Sequence, residues 1–208
     1  MKFHSTTTNE QHKETIMATE TLTIGSEAPE FDNLPAADGK KYSLGDFDDK
    51  KILVVVFSCN HCPYVQAYEE RMMTFQRDYA GKGVQLVAIN SNETKNYPED
   101  NYEEMVKRAK KKGFNFPYLR DEDQAIATAF GATHTPEFFV FSPPASEAQE
   151  RRGEKRNLRY HGRFDDNHQN PAAVKVNYLR DAVDALLAGR EVPQPETYSI
   201  GCTIKWKY

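Results

Sequence analysis

The chain has 208 residues, a formal net charge of -4 and three cysteines. That length suits one domain with insertions and a sizeable core, and the acidic balance without a basic stripe excludes a nucleic-acid surface. Three cysteines do not make a disulfide-stapled secreted scaffold, and no stretch approaches the roughly 20 apolar residues that span a bilayer, so a cytoplasmic protein without membrane contact is expected.

Residues 1–20 are polar, rich in Thr and Glu, and read as a disordered extension ahead of a domain of residues 21–208. They lack the apolar stretch of a secretory signal. Met17 opens MATETLTIG in the manner of a natural start, so the first 16 residues read as a leader, a misassigned start or a non-native addition. Asp38-Gly39 signals a hairpin between residues 33–34 and 41–44, and residues 45–50 form a loop or helical turn. Residues 52–57 (ILVVVF) are an unbroken, β-branched run too short for a buried helix, which predicts a central strand covered on both faces. The run stops at Ser58-Cys59-Asn60-His61-Cys62-Pro63.

Residues 64–79 are amphipathic at helical spacing, with Val65, Tyr68, Met72, Phe75 and Tyr79 on one face and Glu69, Glu70, Arg71 and Arg77 mostly off it. Pro63 falls in the first turn, where a missing N–H does little harm. Residues 84–90 (VQLVAIN) are the next strand, and strand–helix–strand implies a right-handed crossover and a parallel pair. Residues 91–100 read as a polar loop and 101–112 as a helix stopped by Gly113, its basic run sitting at the C-terminal end where cations suit the dipole. An extended segment at 116–119 and a short capped helix over 121–130 follow. Residues 133–141 are a strand led in by Thr135-Pro136, 142–157 an exposed loop, and 158–163 the returning strand. Arg163 and Phe164-Asp165-Asp166 read as a turn. The last helix is expected over 171–188, burying Val174, Tyr178, Leu179, Val183, Leu186 and Leu187. The tail, 200–208, carries Cys202 and the single tryptophan, Trp206, and is expected to dock on the body.

The chemistry concentrates where the buried strand meets the helix. Free N–H groups and the helix dipole favour an anion there, so Cys59 is expected to have a depressed pKa and to be nucleophilic. Cys62, about one turn on, is placed to resolve a mixed disulfide at Cys59. Half a zinc site is the competing reading, but four ligands are needed and no second paired motif exists, so no metal is expected. His61, beside Cys59, would favour the thiolate and make the pair more oxidising. Cys202 is either a third redox thiol or a structural one beside Trp206.

Strand–CxxC–helix, with Thr135-Pro136 ahead of a later apolar strand, resembles the thioredoxin fold. SCNHCPYV, RFDD and the C-terminal GCTIKWK are similar to peroxiredoxin-like redoxins of the alkyl hydroperoxide reductase/thiol-specific antioxidant superfamily, over nearly the whole chain. The resemblance implies an α/β thioredoxin-like fold: a central mixed sheet flanked by helices, with an N-terminal hairpin and an inserted helix. It implies a cis Thr135-Pro136 bond facing the CxxC, with the Thr135 backbone offered to a substrate chain for strand-like pairing. The activity implied is thiol–disulfide exchange, with Cys59 attacking, Cys62 resolving, and Asn60, His61, Pro63, Thr135 and Pro136 shaping the site. The disulfide carries the electrons without a further cofactor. Partners would be a protein or small-molecule thiol or disulfide and an external reductant or oxidant. One departure counts against an efficient peroxidase: the pattern Pro-x-x-x-Thr-x-x-Cys is met in neither register, Val56 and Ile52 preceding Cys59, and Cys59 and Val55 preceding Cys62. A copper(I) carrier completed by His134 or Cys202 is the alternative of a different class.

Overall fold

The computed structural model describes residues 21–143 and 155–208. The expectations for residues 1–20 and for most of the 142–157 loop lie outside them. Nine strands and four α-helices carry the described chain, with short 3-10 turns between them.

The apolar run forms the central strand β3 (Ile52–Phe57), in which every residue is buried. Strand β4 (Val84–Asn90) pairs with it in parallel, and β7 (Glu137–Ser142) pairs antiparallel on its other side. Strands β5 (Tyr118–Arg120) and β8 (Asn157–Gly162) complete a five-stranded mixed sheet of order β5-β4-β3-β7-β8. This is the thioredoxin-like arrangement.

Because β3 is covered on both faces, its alternating side chains enter two cores. Ile52, Val54 and Val56 pack with α1 (Pro63–Tyr79), with Met105 of α2 (Tyr102–Lys112) and with α4 (Tyr178–Leu187). Leu53, Val55 and Phe57 pack with α3 (Ala125–Phe130), the N-terminal hairpin of β1 (Leu34–Pro35) and β2 (Lys41–Tyr42), and Ile204 of the tail. The second core is built on aromatic edges: Phe130 meets Phe57, Phe139 and Phe141 at ring-centroid distances of 5.3, 5.3 and 5.8 Å.

Several expectations are corrected. The last helix begins at Tyr178, because Pro171–Ala173 is a separate 3-10 turn followed by extended residues. Val174 is therefore off the buried stripe, and Leu179, Ala182 and Val183 carry it. Glu69 is buried and held by Arg108 and Lys112 of α2, so two of that helix's basic residues are tied across to α1. The ends of the 142–157 segment are strand, and Arg156 is buried, donating to the carbonyls of Phe47 and Lys50 at 2.6 Å each. The 91–100 loop is polar, as its composition indicates, but Ser91, Asn92, Glu93 and Asp100 are all buried.

Phe130→Ala should lower the unfolding free energy by about 3–5 kcal/mol, since a fully buried ring in contact with three others leaves a cavity that α3 cannot close. Urea denaturation followed by far-UV circular dichroism measures it.

Candidate functional site

The junction between β3 and α1 sets the site. Pro63 is the first residue of α1 and Cys62 is its N-cap, so the free N–H groups of the first turn lie at Cys62, not Cys59. Both cysteines are buried, Cys59 at 1% exposure and Cys62 at 0%. Thr135 caps them from the opposite loop, its Oγ1 3.4 Å from Cys59 Sγ and its carbonyl oxygen 3.2 Å from Cys62 Sγ. The Thr135-Pro136 peptide is cis, as the resemblance implies.

Cys202 joins the same cluster. The tail forms β9 (Cys202–Thr203), which pairs antiparallel with β6 (His134–Thr135), Cys202 opposite Thr135. Its side chain packs on the core cluster that holds Cys59 and Cys62, and its strand partner Thr135 is the residue whose carbonyl oxygen meets the Cys62 sulfur.

The charge is distributed differently from the sequence expectation. The hydrogen bond accepted from Cys59 works against burial, and with those from Cys202 and the Val65 N–H it brings Cys62 down to about 4. Cys59 moves up, because it donates to Cys62, is buried and faces Asp100. Burial and the bond to Cys62 raise Cys202 to about 11. Asp100 opposes charge at Cys59, which the sequence expectation did not include, and the first turn of α1 opens at Cys62.

Asp100 is the residue that sequence reasoning missed. It is fully buried. One carboxylate oxygen accepts the Asn60 backbone N–H at 2.5 Å; the other accepts the Asn92 amide at 2.8 Å and meets His61 Nδ1 at 2.5 Å. The His61 ring also stacks on Tyr97, centroids 5.2 Å apart. The Asn60 side chain is fixed by the Glu99 carbonyl at 2.7 Å and by the Tyr118 hydroxyl at 3.1 Å. Nothing local to residue 100 marks it; only Pro98, opening a 3-10 turn that carries it inward, hints at the placement. Cys59 Sγ, a His61 ring nitrogen and an Asp100 oxygen lie within 4.8 Å of one another, a grouping that metal ligands also adopt. Both Asp100 oxygens already have protein partners.

Glu137 was also missed. It is buried and accepts from the N–H groups of Thr133 and His134 at 2.7 and 2.8 Å and from His161 at 2.6 Å. Burial raises its pKa, but His161 and those N–H groups outweigh it and hold the carboxyl below its usual range. It thereby fixes the loop that carries Thr135. His134 is half-buried and bonds Thr133 Oγ1 at 2.8 Å. A cleft of about 530 Å³ opens beside Asn60 and His61, lined further by Gln66, Glu99, Lys107 and Lys111.

The substrate edge expected at Thr135 is taken by the chain itself. Gly201 lies so close that a Cβ there would stand 2.1 Å from the Thr135 carbonyl oxygen. Beyond β9, the Ile204 N–H reaches the Thr133 carbonyl at 2.9 Å, and the Lys205 N–H reaches the Asn92 side chain at 2.8 Å. Gln124, held at φ +64°, donates to the Lys205 carbonyl at 2.8 Å.

No helix among the described residues is long and apolar enough to cross a membrane. A crystallised hypothetical protein of Sinorhizobium meliloti 1021 superposes with a TM-score of 0.78 at 40% identity, over 90% of this chain and 97% of that one. Thiol-disulfide oxidoreductase ResA of Bacillus subtilis is 28% identical over 126 residues, 60% of this chain and 64% of that protein. A Mycobacterium tuberculosis protein named provisionally as a peroxiredoxin is 29% identical over 111 residues, 53% of this chain and 65% of that protein. The chain thus spans under two thirds of the length of these two curated relatives. A family model described as Redoxin matches residues 23–144. The chain belongs to the Redoxin family and has the thioredoxin-like fold.

Proposed function

We propose that this chain is a thiol–disulfide oxidoreductase whose couple is Cys59 and Cys62. The observation that carries the reading is that both buried sulfurs of the CxxC meet Thr135 at the start of α1. A pair so placed loses two electrons and its sulfur-bound protons on closing to a disulfide, and needs no organic cofactor. A thiolate is the attacking species in exchange, and trapping a mixed disulfide in each single-serine variant reads which of Cys59 and Cys62 attacks. Asn60, His61, Pro63, Thr135 and Pro136 hold the geometry, and Asp100 and Glu137 hold them in turn. Partners are thiols and disulfides, of proteins or of small molecules, with an external reductant or oxidant completing the cycle.

The test is equilibration in glutathione buffers spanning roughly -300 to -120 mV, followed by acid quench, alkylation and peptide mass spectrometry. A reversible Cys59–Cys62 disulfide, absent from Cys59→Ser and Cys62→Ser, supports the reading. Failure to form it overturns the reading, and stoichiometric copper(I) binding in its place would put the chain among metal carriers.

A second reading, thiol peroxidase, gains one observation. The hydroxyl that the sequence pattern lacks beside Cys59 arrives across the fold from Thr135, at 3.4 Å. Peroxide-dependent NADPH consumption in a coupled assay, lost in Thr135→Val, would support it; a background rate in wild type would dismiss it.

The pH dependence follows from the charge at Cys62. With Cys62 held at about 4 against an ordinary 9 and Cys59 raised, the reduced pair keeps one proton between about pH 5 and 8. The stabilisation of the folded dithiol is complete above the ordinary value and is lost as pH falls toward 4. The reduction potential should accordingly fall by about 30 mV per pH unit in that window, half the slope of a pair carrying two protons. Glutathione equilibration at several pH values reads the slope.

Asp100→Asn removes the negative charge that raises Cys59. It should stabilise the reduced form and raise the potential. The same change disturbs a buried acceptor with four partners, Asn90 among them, and should cost about 1–3 kcal/mol of folding stability in urea titrations.

A further inference from the structure

The CxxC pair is closed off, yet exchange requires a partner to reach a sulfur. Cys59 and Cys62 are 1% and 0% exposed. Thr135 lies on both sulfurs, and its strand is paired in turn to the tail. The tail is held along its length: by Gly201 against the Thr135 carbonyl, by Ile204, and by Lys205 through Asn92 and Gln124. Cys202, the one cysteine that is not buried, lies on that tail, packed on the cluster that holds Cys62 and paired with Thr135.

We propose that Cys202 is the third thiol of the redox centre, exchanging with the Cys59–Cys62 disulfide and relaying electrons to external thiols and disulfides. The inference rests on Cys59–Cys62 being the redox couple. In the first step the Cys202 sulfur attacks Cys62, whose sulfur lies on the carbonyl of Thr135, the strand partner of Cys202. A Cys62–Cys202 bond forms, the Cys59–Cys62 bond breaks, and the proton from Cys202 ends on Cys59. No net oxidation occurs. In the second step an external thiolate attacks Cys202, forming a mixed disulfide there and releasing Cys62 as the thiolate. In the third, a second external thiol frees Cys202, and the external pair leaves as its disulfide with two electrons taken up by the protein. Run backwards, the same steps oxidise the protein.

The geometry fits each part of this. Cys62 is the CxxC partner of Cys59 and lies under Thr135, the strand partner of Cys202, so it is the sulfur common to both disulfides. Cys62 is also the best leaving group of the three when the external thiol attacks, because its place as N-cap of α1 stabilises it as an anion. Cys59, facing Asp100, is the sulfur that retains a proton. The pairing of Thr135 with Cys202 supplies the register, and Gly201 permits the approach, since any side chain there would strike the Thr135 carbonyl.

The experiment uses the full chain and glutathione as the external thiol. Cys59→Ser, oxidised with glutathione disulfide, should yield an intramolecular Cys62–Cys202 disulfide in a monomer. Adding Gly201→Ala should abolish that pair by lifting the strand. In wild type, acid trapping during reduction should capture both disulfides. Cys202→Ser should still form Cys59–Cys62, and glutathione should reduce it roughly tenfold more slowly, its exposed point of attack being gone. The proposal is overturned if Cys62 and Cys202 in Cys59→Ser are recovered only as glutathione adducts or intermolecular pairs. A wild-type reduction rate equal to that of Cys202→Ser, with only Cys59–Cys62 trapped, overturns it even if Cys59→Ser does not fold. Absence of Cys59–Cys62 from Cys202→Ser would overturn the oxidoreductase reading with it.

Discussion

Where a strand buried on both faces runs directly into a helix, the backbone N–H groups at the junction belong to neither ladder nor helix, and in a dry interior each needs an acceptor. Here Ser58 is answered by the carbonyl of Ile89, an extension of the parallel ladder. Asn60 is answered by Asp100. That answer is also chemistry. A carboxylate brought in to satisfy one N–H places negative charge beside Cys59. Cys62, the N-cap of α1, sits where the free N–H groups of the first turn favour an anion. The uneven charge of the couple thus follows from the requirement that makes the loop foldable.

The second constraint is an open edge. Strand β6 is two residues long, and its backbone would be unpaired without β9. The chain meets this with its own C-terminus, and the cost is visible in the residues recruited. Gly201 stands where no Cβ fits. Gln124 adopts a left-handed conformation unusual for a residue with a side chain, and there its amide reaches the tail while its backbone begins α3. Trp206, packed against the second core, gives the tail an apolar anchor in addition to its hydrogen bonds.

Much of this was legible in the sequence because it depends on local pattern. The extent of β3 follows from an unbroken apolar run, β4 from another, and α1 from spacings of three and four. The role of the Thr135-Pro136 loop came from resemblance, and the docking of the tail from its apolar residues. What was not legible depends on distant partners. The buried loop of residues 91–100 has the composition of a solvated one, since polar residues that satisfy each other in a core look the same in one dimension as polar residues facing water. Glu69 reads as a surface residue on the helical wheel until Arg108 is brought across to it. The start of α1 was legible to within a residue, Pro63 opening the helix, but the buried carboxylate that faces Cys59 was not, because Asp100 comes from a loop distant in the chain. The start of α4 was misplaced because Pro171 is as good an opening for a single 3-10 turn as for a helix.

Setting the potential and admitting a partner place opposite demands on one pair of cysteines. Burial and fixed donors tune a couple well, because each interaction counts for more in a low dielectric, but the same burial shuts out the molecules with which it must exchange. A thioredoxin-like edge resolves this when a substrate chain pairs with the residue before the proline. In this chain that edge is occupied from within, so the function of the pairing cannot be to bind an external strand while the tail is docked. What the internal strand does instead is carry a cysteine to the sulfur that an external substrate would have met. The tail then has the geometry of a bound substrate and the permanence of a covalent one, at an effective concentration that no free thiol reaches. The arrangement separates the two demands between residues: Cys59 and Cys62 are held where Asp100 and the helix N-terminus tune them, and Cys202 is held where solvent reaches it.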